Sequence, residues 1–399
     1  MFPDFSFDIF LALRFLLYLL PFILGFVIWH AYLTYIRTKF IHNMEWVTLE
    51  IRVPREINKS PYAMEVVLGA FHQTGDGNMI DRYIKGKVRP WFALEIASFG
   101  GDVHFFVQTP KDYKNLIESH FYSQYPEIEV VEAEDYTKNV PYGAPSSDWD
   151  IWGCEFELTK PEIYPIKTYI DYGLADNPKE EYKVDPITPT IEYMGSLQPG
   201  MQSWLQIIIM GHKARYNKPG TWFGKQEWRD EYKDEYKKIL KRDKPPEKES
   251  RAESNLSPGE QEVARSVERN LNKFPFDCGI RGLYLAPKEI FNKGYTGSLM
   301  GCVKHYGSPL LNGFKPTEKT GFDYAWQDLW GKKLAKKKSE MFGAYRRRGY
   351  FYAPINKKPM TLTTEEIATM WHLPGTVAST PTLGRIESKR GEPPANLPL

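Results

Sequence analysis

The side chains of this 399-residue sequence that could do chemistry stand at spacings that do not assemble it. A Walker loop needs Gly-Lys followed by Ser or Thr, so that backbone N–H groups, lysine and hydroxyl converge on phosphate and Mg²⁺. Gly86-Lys87, Gly224-Lys225 and Gly331-Lys332 are followed instead by Val88, Gln226 and Lys333. The 8 histidines show neither His-Glu-x-x-His nor a histidine paired with Cys-x-x-Cys, so no zinc site is expected. Ser298 in "GYTGSLMG" is out of register for a nucleophile elbow. Asp102 and His104 share a short stretch, "DVHFFVQ", whose alternation marks a partly buried strand rather than a base and its orienter. "DGN" at Asp76 to Asn78 lacks the later ligands of a calcium loop. Cys154, Cys278 and Cys302 are too few and too dispersed for a disulfide framework, which suits buried apolar thiols in a reducing compartment. No catalytic, metal or cofactor residue is expected, and the chain does not read as an enzyme.

Charge gives a different signal. The net charge is only +2, so the chain is not built wholly around a polyanion, yet "GKKLAKKKSEMFGAYRRRGYFYAP" concentrates lysine and arginine. Lys336, Lys337, Lys338, Arg346, Arg347 and Arg348 are its candidate polyanion contacts, joined by Lys332 and Lys333. The interleaved Phe342, Tyr345 and Tyr350 suit single-stranded nucleic acid through charge and stacking. An anionic lipid surface would accept the same cluster, and so would a solvated surface element. The sequence leaves the three open.

These candidates must be positioned by the rest of the chain, which begins with "FLLYLLPFILGFVIWHAYLTY", Phe15 to Tyr35. This run carries no formal charge and, as a helix, is ~31 Å long, matching a ~30 Å hydrocarbon core. Its Leu, Ile, Val and Phe residues up to Ile28 contribute roughly −3 to −7 kcal/mol toward insertion. Phe15, Leu20, Pro21, Gly25, Trp29 and Tyr35 are the expected anchor residues, with Trp29 and Tyr35 in an interfacial belt. Asp4 and Asp8 precede the run and do not suit a cleaved signal peptide. Arg37, Lys39 and His42 follow it, so the positive-inside rule puts the N-terminus outside and the bulk of the chain in the cytoplasm.

With 42% hydrophobic residues and 15% aromatics the remainder can build real cores. "WVTLEIRVP" alternates as a strand, and "SPYAMEVVLGAFHQT" opens a helix with Ser60 as cap and Pro61 behind it. "WFALEIASFGGDVHFFVQT" is a hairpin turning at Gly100-Gly101; a second helix and a strand follow it. That order, βαββαβ, predicts a ferredoxin-like plait. Strands at "CEFELT", "SWLQIIIM" and "CGIRGLYLA", with helices between and after them, predict a second, irregular one. The expected class is α+β: a transmembrane anchor over 1–43, a plait over 44–138, a second α+β domain over 150–355 with a charged insertion at 216–256, and a capped helix with a Pro-rich connector over 356–399. The insertion reads as a charged helix followed by a flexible linker.

Several of these segments occur in a recognisable order. "FALEIASFGGDVHFFVQTPKDYKNLIESHFYSQYPEIEVVEAEDY", "DPITPTIEYMGSLQPGMQSWLQIII" and "FDCGIRGLYLAPKEIF" resemble the membrane-anchored N-terminal region of conjugative, type IV secretion-like ATPases and of their uncharacterised bacterial relatives. The closing "LTTEEIATMWHLPG" with its Pro-rich tail resembles the connector that leads those proteins into a RecA-like motor. The resemblance implies a bacterial inner-membrane protein without catalytic residues of its own, self-associating around a motor ring. Because the sequence stops before a Walker loop, a P-loop ATPase is expected to dock in trans. The docking element would be the helix capped by Thr363 and Glu366, with Trp371, His372 and Pro374. A membrane-tethered single-stranded nucleic-acid-binding subunit of a DNA transfer or uptake system is the competing expectation.

Overall fold

The computed structural model describes residues 9–54, 59–142, 148–174, 184–213, 220, 228–240, 256–322, 324–328 and 330–375. In chain order its elements begin with α1 (Ile9–His42), β1 (Trp46–Arg52), α2 (Pro61–Leu68) and α3 (Met79–Tyr83). Next come β2 (Trp91–Phe99), β3 (Asp102–Pro110), α4 (Lys114–Gln124), β4 (Glu129–Ala133), β5 (Trp149–Leu158), α5 (Thr188–Gly195) and β6 (Gln202–Gly211). Helices α6 (Trp228–Glu231), α7 (Lys233–Ile239) and α8 (Pro258–Leu271) precede β7 (Pro275–Pro287), α9 (Gly294–Gly301) and β8 (Phe314–Thr317). The chain then forms α10 (Lys332–Arg346), β9 (Phe351–Tyr352), β10 (Ile355–Asn356), β11 (Met360–Thr363) and α11 (Thr364–Met370).

Two compact units result: 1–44 with 75–89, and 45–74 with 90–399. In the first, α1 is 34 residues long and keeps its apolar side chains from Tyr18 to Ile28 on the outside. From Tyr18 to His42 it is long and apolar enough to cross a membrane. Leu20, Gly25, Trp29 and Tyr35 all lie on it, and Pro21 is accommodated inside the helix. Beside it, Asn78 and Asp81 form a capping box that starts α3. Tyr83 stacks on Trp29 with centroids 6.0 Å apart.

In the second unit the strands form one antiparallel sheet in the order β4-β1-β3-β2-β6-β7-β5-β8, with β11 added to β7. The order β4-β1-β3-β2 is repeated as β8-β5-β7-β6. Each half carries a helix between its first two strands (α2, α5) and another between its last two (α4, α9). The halves meet where β2 runs antiparallel to β6, from Trp91↔Met210 to Phe99↔Gln202. The residues expected to form two domains, 44–138 and 150–355, therefore share one sheet. Both seam strands are buried along nearly their whole length and paired on both sides, so neither presents an edge.

One face of the sheet, with Leu94, Ile96, Phe105, Ile207 and Ile280, packs under α2, α4, α5, α9 and α11. The other, with Ala97, Phe106, Trp204 and Leu283, packs under α10 and Tyr136. In the charged insertion, Tyr232 and Tyr236 pack with Val263 and Val267 of α8, while 241–255 lies outside the described residues. Cys154, Cys278 and Cys302 are free and buried.

Candidate functional site

Helix α10 starts at Gly331, whose φ of 66° suits glycine, and the backbone N–H of Leu334 donates to the Asp328 carboxylate at 2.7 Å. Its apolar stripe, Met341, Phe342 and Tyr345, faces the sheet. Lys332, Lys333, Lys336 and Lys337 point to solvent. Trp330, just before the helix, is 84% exposed, and the exposed rings of Tyr324 and Trp326 stack with centroids 5.9 Å apart.

The six candidate cations do not act together. Lys336 stands 3.8 Å from Glu340, one helical turn on, and Lys337 lies over the Phe322 ring. Lys338 is half-buried and pairs with Asp150. Arg346 lies over Phe342 and Arg347 is exposed. Arg348 is only 2% exposed and is a core residue, so its expected polyanion contact is corrected. It adopts φ 47° just past the helix end, which swings its side chain beneath α10.

There Arg348 meets a row of polar residues running across the sheet. Glu95 opposes Gln206 in register, Gln206 opposes Arg281, and Arg281 opposes Glu155. Arg348 donates from Nε to Glu95 Oε1 at 3.0 Å and from Nη1 to Asp135 Oδ2 at 2.6 Å. Its other N–H groups reach Glu95, Asp135 and the Arg346 carbonyl, so all five of its donors are used. Glu95 also accepts from Tyr136 Oη at 2.9 Å and Gln206 Nε2 at 2.6 Å. Arg281 donates to Glu155, to Gln206 Oε1 and to the carbonyls of Ala344 and Gly349, and Lys357 donates to Glu155 at 2.7 Å. Three carboxylates (Glu95, Asp135, Glu155) thus balance three cations (Arg281, Arg348, Lys357).

Burial pushes the Asp135 carboxyl upward, but the Arg348 and Thr137 bonds outweigh it and leave the group below the usual carboxylate range. Burial acts against the Arg348 cation, and Glu95 with Asp135 more than offsets it, raising the guanidinium still further. The Tyr136 phenol, driven up by burial and then by Glu95, stays a hydrogen-bond donor. A network charge-balanced in this way positions α10 over the sheet. A cleft of about 430 Å³ lies beside it, between α10 and the β9–β10 hairpin, lined by Glu155, Lys337, Arg347 and Lys357 among others.

The proposed docking residues are likewise internal. Thr363 and Glu366 form the expected capping box, and Glu366 Oε1 also accepts the Ile166 backbone N–H at 3.0 Å. Burial pushes the Glu366 carboxyl up to about 7. Trp371 is packed edge-on against Phe105 and Phe121 and donates to the Glu95 carbonyl at 3.3 Å. His372 directs Nε2 to Asp185 at 3.0 Å and Nδ1 to the Ala368 carbonyl at 2.8 Å, while Pro374 is buried. A partner has no access to these five side chains in this fold. The physical reason is that β11 and α11 complete the core, with Glu365 tied to Arg269 at 2.9 Å. The connector tail, 376–399, lies outside the described residues.

His104 is half-buried on β3, its Nδ1 facing Glu50 at 2.7 Å and its Nε2 facing Asp102 at 3.1 Å. Burial works against the imidazolium, and the two carboxylates outweigh it, so its pKa is raised. Among the described residues no cluster of three or more His, Cys, Asp or Glu could hold a metal ion.

Sheet and site together define a mixed helix-and-sheet protein with an N-terminal apolar helix and a basic helix clamped across one large antiparallel sheet. The chain belongs to the family described as "Domain of unknown function (DUF8128)", which matches residues 36–384. That match covers the whole described sheet and α10, and begins past the apolar stretch of α1. No curated protein matches the chain.

Proposed function

We propose that the protein is a membrane-held, non-enzymatic platform for a translocation machine of the conjugative, type IV secretion-like kind, serving to recruit or orient its P-loop ATPase. The observation that carries this reading is the pairing of an outward-facing apolar helix with a sheet unit whose buried arginines are spent on internal ion pairs. Such a unit is a rigid body to assemble on rather than a site that turns over. Each half of the sheet reads as a ferredoxin-like plait, on the strength of its strand order and helix placement, and the two are fused through their β2 and β6 edges. The anchor would sit in a bacterial inner membrane with the sheet unit in the cytoplasm, as the cations at the C-terminal end of α1 suggest.

The test is affinity capture from native membranes in mild detergent, comparing the full chain with one ending at Gly375. A cut at Thr361 would remove core elements, whereas a cut after Gly375 leaves β11 and α11 intact. An ATPase with a Walker loop, identified by mass spectrometry and enriched with the full chain, supports the reading. Its absence from the full-chain capture defeats it.

A second reading has its own observation. The exposed Tyr324–Trp326 stack and Trp330 precede Lys332, Lys333 and Lys336, which is the charge-plus-stacking composition that takes up single-stranded nucleic acid. Steeply salt-dependent binding of a single-stranded oligonucleotide, lost when these lysines become alanine, would favour it.

A further inference from the structure

Residues 75–89 interrupt the chain between α2 and β2, yet they form a compact unit with α1. On α3 the side chains of Met79 and Ile80 are 75% and 57% exposed, and Ile84, one residue past the helix, is 65% exposed. A helix of five residues does not hold by itself in water, and three outward aliphatic side chains give it no core to pack on.

Two contacts fix the segment against α1. The Tyr83 ring stacks on Trp29. At Gly86, with φ +71°, the backbone approaches α1 so closely that a Cβ would lie 2.4 Å from the Ile36 carbonyl oxygen. Trp29 and Ile36 are about 10 Å apart along a helix axis. The segment therefore runs down α1, with Gly86 level with Ile36 and α3 level with Trp29. Trp29 and Tyr32 are the kind of side chain that settles among lipid headgroups. The charges are arranged to match. Asp76 is paired with Arg82 at 2.6 Å and Asp81 with Lys85 at 2.8 Å, while Lys87, on the Ile36 side, and Lys39 of α1 are exposed. Cations above an apolar face suit an anionic headgroup layer over acyl chains.

We infer that residues 79–84 form a second membrane element, a short amphipathic segment lying in the bilayer interface against α1. Met79, Ile80 and Ile84 enter the boundary of the acyl region, and Lys87 reaches the phosphates. This rests on α1 being embedded in a bilayer, which is part of the reading above.

The experiment uses the full chain in lipid nanodiscs containing anionic lipid, with single-cysteine variants carrying an environment-sensitive fluorophore. Ile80→Cys and Ile84→Cys test the inference, Leu24→Cys reports on α1, and Lys315→Cys is an aqueous control. The three native cysteines are buried and are replaced. Labels at 80 and 84 should lose most of their emission to a lipid bearing a nitroxide near the headgroup and resist quenching by iodide. Quenching by iodide equal to that at position 315 would put the segment in water and overturn the inference. Protection from both quenchers would overturn it in favour of cover by protein, a second copy or a partner. A Leu24→Cys label that no lipid nitroxide reaches would show instead that α1 is not embedded, and would bring down the tethering itself.

Discussion

Replacing each arginine of Arg346-Arg347-Arg348 with alanine in turn should give three very unequal results. All three look alike in sequence, but only Arg348 is buried, held against Glu95 and Asp135. Arg348→Ala leaves the Glu95 carboxylate with no cation in an environment where it has no exposed surface. Breaking a buried pair by removing one partner costs about 3–5 kcal/mol. The sheet unit has roughly 340 residues, and at about 2.1 cal/mol/K each its unfolding entropy is ~0.7 kcal/mol/K. The loss therefore corresponds to a Tm lower by ~4–7 °C. Arg346→Ala and Arg347→Ala remove exposed groups and should stay within about 0.5 kcal/mol, less than ~1 °C. Thermal unfolding of the purified full chain in detergent, followed by tryptophan fluorescence, measures all three. The double variant Glu95→Gln with Arg348→Met should recover part of the loss, since it removes both charges. Equal shifts for the three alanine variants, or no shift for Arg348→Ala, would refute the buried clamp.

Gly86→Ala should loosen residues 75–89 from α1, because a left-handed non-glycine costs about 1–2 kcal/mol and its Cβ also meets the Ile36 carbonyl; faster hydrogen exchange and proteolysis confined to 75–89 are the expected signs. His104 carries a raised pKa between Glu50 and Asp102, so its stabilisation is complete below the unfolded histidine value of about 6.5 and is lost as pH rises through the raised value. The Tm difference between wild type and His104→Gln should shrink as pH is raised, and a difference that grows would be wrong in sign. On the nucleic-acid reading, the triple variant Lys332→Ala, Lys333→Ala, Lys336→Ala should flatten the log–log salt dependence of oligonucleotide binding by about 2, at ~0.7 per phosphate lost. Fluorescence anisotropy over a salt series measures it.

Most of the elements were legible because their signals are local. Ser60 before Pro61, Gly100-Gly101 between alternating runs, and Thr363 with Glu366 each fix a boundary within a few residues, and all three features are present. What joins the elements is less so. "WFALEIASF" and "SWLQIIIM" are nearly continuous apolar runs, a mark of central strands, yet nothing in either names the other as its neighbour. The burial of the expected docking residues is not a local signal, as Glu366 and its neighbour Glu365 show. Their partners Arg269 and Ile166 are far away in sequence. Arg348 was hidden among identical neighbours. Its available signal lay elsewhere, in Glu95, Gln206 and Arg281, each a polar residue in mid-strand that demands a buried partner. The segment Met79–Ile84 is too short for its periodicity to register, and it gains meaning only against Trp29 and Ile36.

The central claim is that α1 holds the sheet unit at a membrane. It is tested most directly by flotation of native membranes through a density gradient after an alkaline wash, which strips peripheral proteins and leaves embedded ones. The account predicts that the full chain floats with lipid and that a chain lacking residues 1–42 is released into the wash. Release of the full chain, or flotation of the shortened one, would contradict it.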